Sequence, residues 1–220
     1  MKSVDLRIYL VGAHATGKTT LARYVRDRYS LPMISEVARA VLAERETSLE
    51  RLRSDVEAVN RYQREVFHRQ VEAERAQVGG FVSDRAFCNL AYMANHATIL
   101  AKVFRDPVLD EYMRQVGEGI VFFLRPHPSL LEADGVRAGL AWEDVVGVDG
   151  MVKLFLELYG IPYFPVSALS MQERVRLVDA VLSLRLGKRC GSYEPSRNGS
   201  GERASPSLAT IVSAPKRNGR

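Results

Sequence analysis

Cysteine is scarce in this chain: Cys88 and Cys190 are the only two in 220 residues. Two thiols build no disulfide framework, so reduced, unpaired cysteines are expected. Histidine is nearly as rare. His14, His68, His96 and His127 stand far apart, without the ligand spacing of a zinc site, which argues against a protein-only metal centre. No apolar run approaches the ~18 residues of a membrane span. The short apolar stretch Leu6–Val11 lacks the longer core and the cleavage site of a signal peptide and turns at once into glycine. It reads as a buried strand, and the chain is expected to be cytoplasmic with no membrane partner.

An excess of charge is also absent over most of the length. The net charge of +5 resides in the last stretch, where Lys188, Arg189, Arg197, Arg203, Lys216, Arg217 and Arg220 face only Glu194 and Glu202. Residues 1–187 balance to neutrality. The tail, 188–220, is rich in Gly, Ser, Pro, Arg and Asn and poor in large apolar residues, a composition that predicts disorder. Two readings of it stand: a solubilising tail, or a loose contact with a polyanion such as nucleic acid.

With 46% apolar and 26% charged residues, the remainder suits one α/β domain over residues 1–187. Short apolar runs alternate with helical patterns, the signature of a parallel sheet covered on both faces. Strands are predicted at Arg7–Val11, Pro32–Ser35, Gly80–Ser83, Ile120–Leu124 and Tyr163–Val166. Helices are predicted at Lys18–Arg28, Glu36–Glu44, Leu49–Gln77, Ala86–Thr98, Pro107–Val116, Trp142–Tyr159 and Ser170–Leu186. Along the long third helix, Leu52, Val56, Val59, Val66 and Phe67 keep a helical period. That helix should overhang the sheet, either as one wall of an acceptor pocket or as a solvated surface helix. In such sheets ligands bind beyond the carboxyl ends of the strands.

At the end of the first strand the chain reads Gly12-Ala13-His14-Ala15-Thr16-Gly17-Lys18-Thr19-Thr20, a full match to G-x-x-x-x-G-K-[ST]. Gly12 and Gly17 allow backbone angles and close approaches that a side chain blocks. The loop's N–H groups converge on phosphates at a helix N-terminus, where the dipole favours anions. Lys18 is placed to reach the β- and γ-phosphates of ATP or GTP and Thr19 to ligate Mg²⁺. There is no Asn-Lys-x-Asp stretch of the kind many GTPases use to read guanine. The strand Phe81-Val82-Ser83 ends in Asp84-Arg85, not in the paired carboxylates usual in AAA+ ATPases. Both points favour phosphoryl transfer over a switch or a motor.

Asp84 is expected to hold Mg²⁺ or to orient the acceptor hydroxyl, and Arg85 to bind the acceptor or its phosphate through a bidentate fork. Glu36, just past the second strand, is a candidate base for the attacking hydroxyl; the alternative is a carboxylate stabilised by the helix dipole. Arg39 lies one helical turn further on. The segment from Leu124-Arg125-Pro126-His127-Pro128 to Asp134-Gly135-Val136-Arg137 reads as a lid whose start the prolines keep from helix. Arg125 and Arg137 are its candidate phosphate clamps. His14 and His127 read as neutral loop histidines. Gln63 and Gln70 are able to read a base edge but equally suit a helix surface, and Tyr92 and Trp142 suit core packing better than stacking on a ligand.

These residues resemble the AAA_28-type, NadR-like P-loop kinases over about 5–185. The resemblance rests on Gly12–Thr20, Ser35-Glu36-Val37-Ala38-Arg39, Asp84-Arg85, Asp134-Gly135-Val136-Arg137 and Tyr159-Gly160-Ile161-Pro162-Tyr163 leading into Val166-Ser167. The Asp84-Arg85 strand end is more similar to that of thymidylate and deoxynucleoside kinases. The resemblance implies a three-layer P-loop sandwich with a five-stranded parallel sheet of nucleoside and nucleotide kinase type, and Mg²⁺-ATP as donor. The expected activity is phosphorylation of a nucleoside, a nucleotide or a related small molecule. Two rivals stand beside it: a kinase of DNA or polynucleotide, suggested by the basic tail, and a regulatory P-loop ATPase.

Overall fold

The structure is a computed structural model that describes residues 5–35, 37–44, 55–96, 100–132 and 141–187. Glu36, the 134–137 stretch with Arg137, the start of the long helix before Asp55, and the tail at 188–220 lie outside the described residues.

Five strands, β1 (Arg7–Val11), β2 (Met33–Ile34), β3 (Phe81–Asp84), β4 (Ile120–Leu124) and β5 (Tyr163–Val166), form one parallel sheet in the order β2-β3-β1-β4-β5. The helices are α1 (Lys18–Tyr29), α2 (Val37–Glu44), α3 (Val56–Arg75), α4 (Cys88–His96), α5 (Leu100–Val103), α6 (Leu109–Gly117), α7 (Pro128–Glu132), α8 (Trp142–Leu158) and α9 (Met171–Arg185). The inner strands β1 and β4 are almost wholly apolar, and β3 is buried along its length, because helices cover both faces of the sheet. Alternate residues divide into two cores. Tyr9, Val11, Val121 and Phe123 join Phe67 of α3, Tyr112 of α6 and Phe155 of α8 on one side. Ile8, Leu10, Phe122 and Leu124 join Leu21 and Val25 of α1 and Val178 and Leu182 of α9 on the other. This is the three-layer sandwich around a five-stranded parallel sheet expected from the sequence.

Local chemistry explains where the elements stop. The Asp55 side chain caps α3 by accepting from the N–H groups of Glu57 and Ala58. The prolines after β4 do keep residues 125–127 out of helix, yet Pro128 itself opens α7. A missing N–H and a fixed φ suit the first helical position. At the margins, β2 is only two residues long and β5 carries Pro165. No helix among the described residues is long and apolar enough to cross a membrane.

Beneath the carboxyl end of β3 lies a buried polar knot. Glu74 Oε1 accepts from Gln70 Nε2 at 2.9 Å and from Ser83 Oγ at 2.5 Å. Gln70 Nε2 also lies 3.0 Å from Ser83 Oγ, and the Tyr112 phenol approaches the same carboxyl. Gln70 is therefore neither on a helix surface nor available to a ligand. Burial pushes the Glu74 carboxyl up to about 7. A carboxyl with a raised pKa binds its proton more tightly folded than unfolded. Its stabilising contribution is therefore full below its ordinary value and is lost as pH climbs from 4.5 towards about 7. Glu74→Gln keeps the accepting oxygen without the ionisation. Chemical denaturation between pH 5 and 8 should show the wild type losing up to about 3 kcal/mol relative to this variant as pH rises; parallel curves would remove Glu74 as the cause.

Candidate active site

The phosphate loop leaves the central strand, flanked by β3 and β4, because β1 pairs with both. Gly12, at φ +146°, passes so close to β4 that an added Cβ would stand 2.3 Å from the Leu124 carbonyl oxygen. Its N–H donates to the buried Cys88 thiol at 3.4 Å, and burial pushes that thiol's pKa up. Ala15 takes a left-handed φ of +54°, and Gly17 at +79° is the N-cap of α1. No side chain caps α1 and no acidic residue occupies its first turn, so the helix offers its first N–H groups to an anion from outside. The Lys18 ammonium folds back over the loop, donating to the Ala13 carbonyl and, at 3.2 Å, to Thr16 Oγ1. Thr20 points to solvent, and His14 packs edge-on against Tyr92 at 5.4 Å.

The Thr19 hydroxyl donates to Asp84 Oδ2 at 2.6 Å, joining α1 to the end of β3. Asp84 is 3% exposed, and its other oxygen, Oδ1, is buried with no hydrogen-bond partner. A hydroxyl beside an unsatisfied buried carboxylate oxygen, at the mouth of a phosphate loop, is a donor set that suits Mg²⁺. Beyond Asp84 the chain leaves the strand through two non-glycine residues at positive φ, Arg85 at +117° and Ala86 at +49°. Such backbone strain concentrates at functional sites. The Arg85 guanidinium has no hydrogen bond or ion pair among the described residues, while its backbone is fixed by bonds to Leu10 and from Cys88. Arg39 is exposed on the first turn of α2.

Arg125 is engaged elsewhere. Its Nη2 lies 2.7 Å from Asp149 Oδ2 of α8, and its guanidinium sits 4.8 Å above the Phe123 ring. Asp149 is 4% exposed, and burial, opposed by the charges of Arg125, Lys153 and Lys18, leaves its carboxyl at about 6. His127 stays exposed, 2.9 Å from Ser129. Gln63 is buried on α3 with an unpartnered Oε1, not on a solvated face. Trp142 and Tyr92 pack against the larger core.

Two residues near the loop escaped sequence reasoning. Arg174 of α9 is 1% exposed; its Nη1 donates to the Thr16 carbonyl at 2.5 Å and its Nε to the Ala168 carbonyl at 2.6 Å. Asp149 is the other. A signal existed for both. Arg174 falls on the stripe of Val178 and Leu182 at a spacing of four, and Asp149 falls among Val145, Val148, Val152 and Leu156. A charged residue on an apolar helical stripe is buried for a reason.

Residues 7–174 match AAA_28, a family described as an AAA domain. The chain belongs to the AAA_28 family. No curated protein matches it in sequence. Solved structures share its fold. The deoxyadenosine kinase of M. mycoides with bound dATP superposes at a TM-score of 0.59 and 17% identity, over 81% of this chain and 99% of that one. Its dCTP complex gives 0.62 at 16% identity, over 81% and 100%. The shikimate kinase of Acinetobacter baumannii with shikimate gives 0.53 at 15%, over 86% and 97%. At these identities the likeness establishes the fold of this AAA_28 chain.

Two glycines separate the demands made on the loop. Gly160 also has a positive φ, +60°, but an added Cβ there meets nothing within 4 Å. Gly160→Ala should cost only backbone strain, about 1 kcal/mol. Gly12→Ala adds a collision with backbone, so it should cost more and also abolish the nucleotide-induced rise in melting temperature. Equal losses in thermal denaturation, with nucleotide binding intact in both variants, would show that the Leu124 contact does not shape the loop.

Proposed function

We propose that this chain is an ATP-dependent phosphotransferase that phosphorylates a nucleoside, a nucleotide or a similar small molecule. The observation that carries the reading is the Thr19–Asp84 pair beside the Lys18 loop, with Asp84 Oδ1 buried and unsatisfied. It supports ATP as donor, held by Gly12, Ala13, His14, Ala15, Thr16, Gly17, Lys18, Thr19 and Thr20, with Thr19 and Asp84 as the residues that would hold Mg²⁺. When bound there, Mg²⁺ neutralises charge on the β- and γ-phosphates.

The chain's own groups divide the remaining work. Lys18 exchanges its contacts with Ala13 and Thr16 for phosphate oxygens. Glu36, between β2 and α2 in the chain, takes the acceptor's proton, and Arg39 and Arg85 hold the acceptor. The guanidinium of Arg85, unpaired among the described residues and set on a strained and well-anchored backbone, favours that assignment. Arg125 and Arg137 complete the phosphate clamp. For Arg125 this means trading the Asp149 carboxylate for a phosphate oxygen, and the raised pKa of Asp149 eases the exchange. The nucleoside acceptor is preferred because two of the solved neighbours are complexes of a deoxyadenosine kinase.

ADP release from the full-length chain, measured with a panel of ribo- and deoxynucleosides, their monophosphates, nicotinamide riboside and shikimate, tests the proposal. Acceptor-stimulated turnover is expected with a nucleoside-like compound. Lys18→Ala and Asp84→Asn should each lower kcat by about a hundredfold or more, and Glu36→Gln should lower kcat with little change in KM. Stimulation by a DNA strand alone would move the acceptor to nucleic acid. Turnover indifferent to every acceptor and raised only by a protein would point to a regulatory ATPase.

A further inference from the structure

Arg174 is an uncommon residue to find where it is. It is among the largest fully buried side chains of the protein, and a buried guanidinium ordinarily has a carboxylate partner. Arg174 has none among the described residues: its hydrogen bonds go only to the carbonyls of Thr16 and Ala168, and Nη2 is buried without a partner. Burial alone, with no opposing acidic group, pulls its pKa down. An arginine stays charged even so. The folded chain thus keeps an uncompensated positive charge against the last turn of the phosphate loop.

Its placement ties two ligand-facing segments together. Thr16 belongs to the loop, and Ala168 lies in the link from β5 to α9 at the same carboxyl edge of the sheet. Gly17 leaves room for the tie, because a Cβ there would stand 2.9 Å from Arg174 Nη1. One charge-assisted bond to the Thr16 carbonyl, from a guanidinium anchored by a second to Ala168, fixes the Thr16-Gly17 peptide and so aims the N–H groups that follow it. Lys18 cannot do this, since it must leave its own loop contacts to engage phosphate.

We propose that Arg174 is a positioning residue for the donor. It locks the phosphate loop to the β5–α9 link, and the negative charge that balances its guanidinium is the bound polyphosphate itself. The inference rests on the reading of the loop as a nucleotide site and not on the identity of the acceptor. Its cost falls on the ligand-free chain and is recovered when the anion enters, so binding and stability should respond differently to its removal.

Calorimetric titration of the full chain with inorganic tripolyphosphate and with ATP, beside thermal denaturation without ligand, tests this. Arg174→Met should bind both ligands about tenfold or more weakly, while its ligand-free melting point changes far less than its ligand-induced rise. Arg174→Lys keeps the charge but cannot fork to two carbonyls, so it should lose less affinity. Affinities of Arg174→Met equal to wild type would overturn the proposal. So would a loss confined to ATP with tripolyphosphate untouched, or a lowered melting point in both variants with binding preserved. Wild-type chain that binds both ligands but turns over with no acceptor would sink the kinase reading and leave this one standing. Wild-type chain that binds neither ligand would sink both.

Discussion

The pairing of β1 with β3 on one side and β4 on the other governs everything at the site. In register, Leu10 meets Asp84 and Val11 meets Phe123, so the strands expose the phosphate loop, Asp84 and Arg125 along a single edge. Within that pairing, the adjacency of β1 and β3 sets the Thr19 hydroxyl against a carboxylate 65 positions further along the chain. The close approach of Gly12 to Leu124 follows from the same pairing, as does the thiol of Cys88 beneath the loop. Packing on the two faces holds that register: Tyr9 and Phe123 are committed to one core, Leu10 and Phe122 to the other. A slip by one position would exchange them.

Electrostatics at this edge is arranged by burial as much as by pairing. Asp84, Asp149 and Arg174 are all nearly inaccessible to water, and each has at least one polar atom without a partner. A core tolerates such groups poorly unless something else meets them. Their grouping around one loop, with the strained Arg85 and Ala86 beside them, is the pattern of a site organised in advance for highly charged ligands. The polar knot of Gln70, Glu74 and Ser83 has another role: its hydrogen bonds converge on Glu74 Oε1 and secure the strand that presents Asp84, while Glu74 Oε2 stays buried without a partner among the described residues.

Much of this was legible in the sequence, and the reasons are local. The glycine-lysine-threonine spacing encodes its conformation within nine residues, so loop, helix start and flanking strand were evident together. Strands β1 and β4 are legible because unbroken apolar runs need two covering layers, whereas β5 is a partly exposed border strand marked only by its apolar and aromatic composition. The start of α3 within the described residues was missed because Asp55 caps it, a side-chain contact that periodicity does not carry. Gln63 and Gln70 read as surface candidates in the sequence because glutamine usually faces water; only tertiary packing buries them. Arg125 was visible as a cation after β4, but its partner Asp149 lies on α8, and no spacing rule joins residues brought together by the fold. Arg174 was hidden for the same reason, although its place on an apolar stripe was a usable sign.

The margins of the sheet have a consequence for how copies of this chain meet. A parallel sheet with open sides invites further strands to add by main-chain hydrogen bonding. Here one border is a strand of two residues, Met33 and Ile34, and the other is interrupted by Pro165, which lacks the N–H that an incoming strand would need. Both borders of the described sheet are poor templates. Growth of the described sheet into neighbouring molecules is resisted at each end.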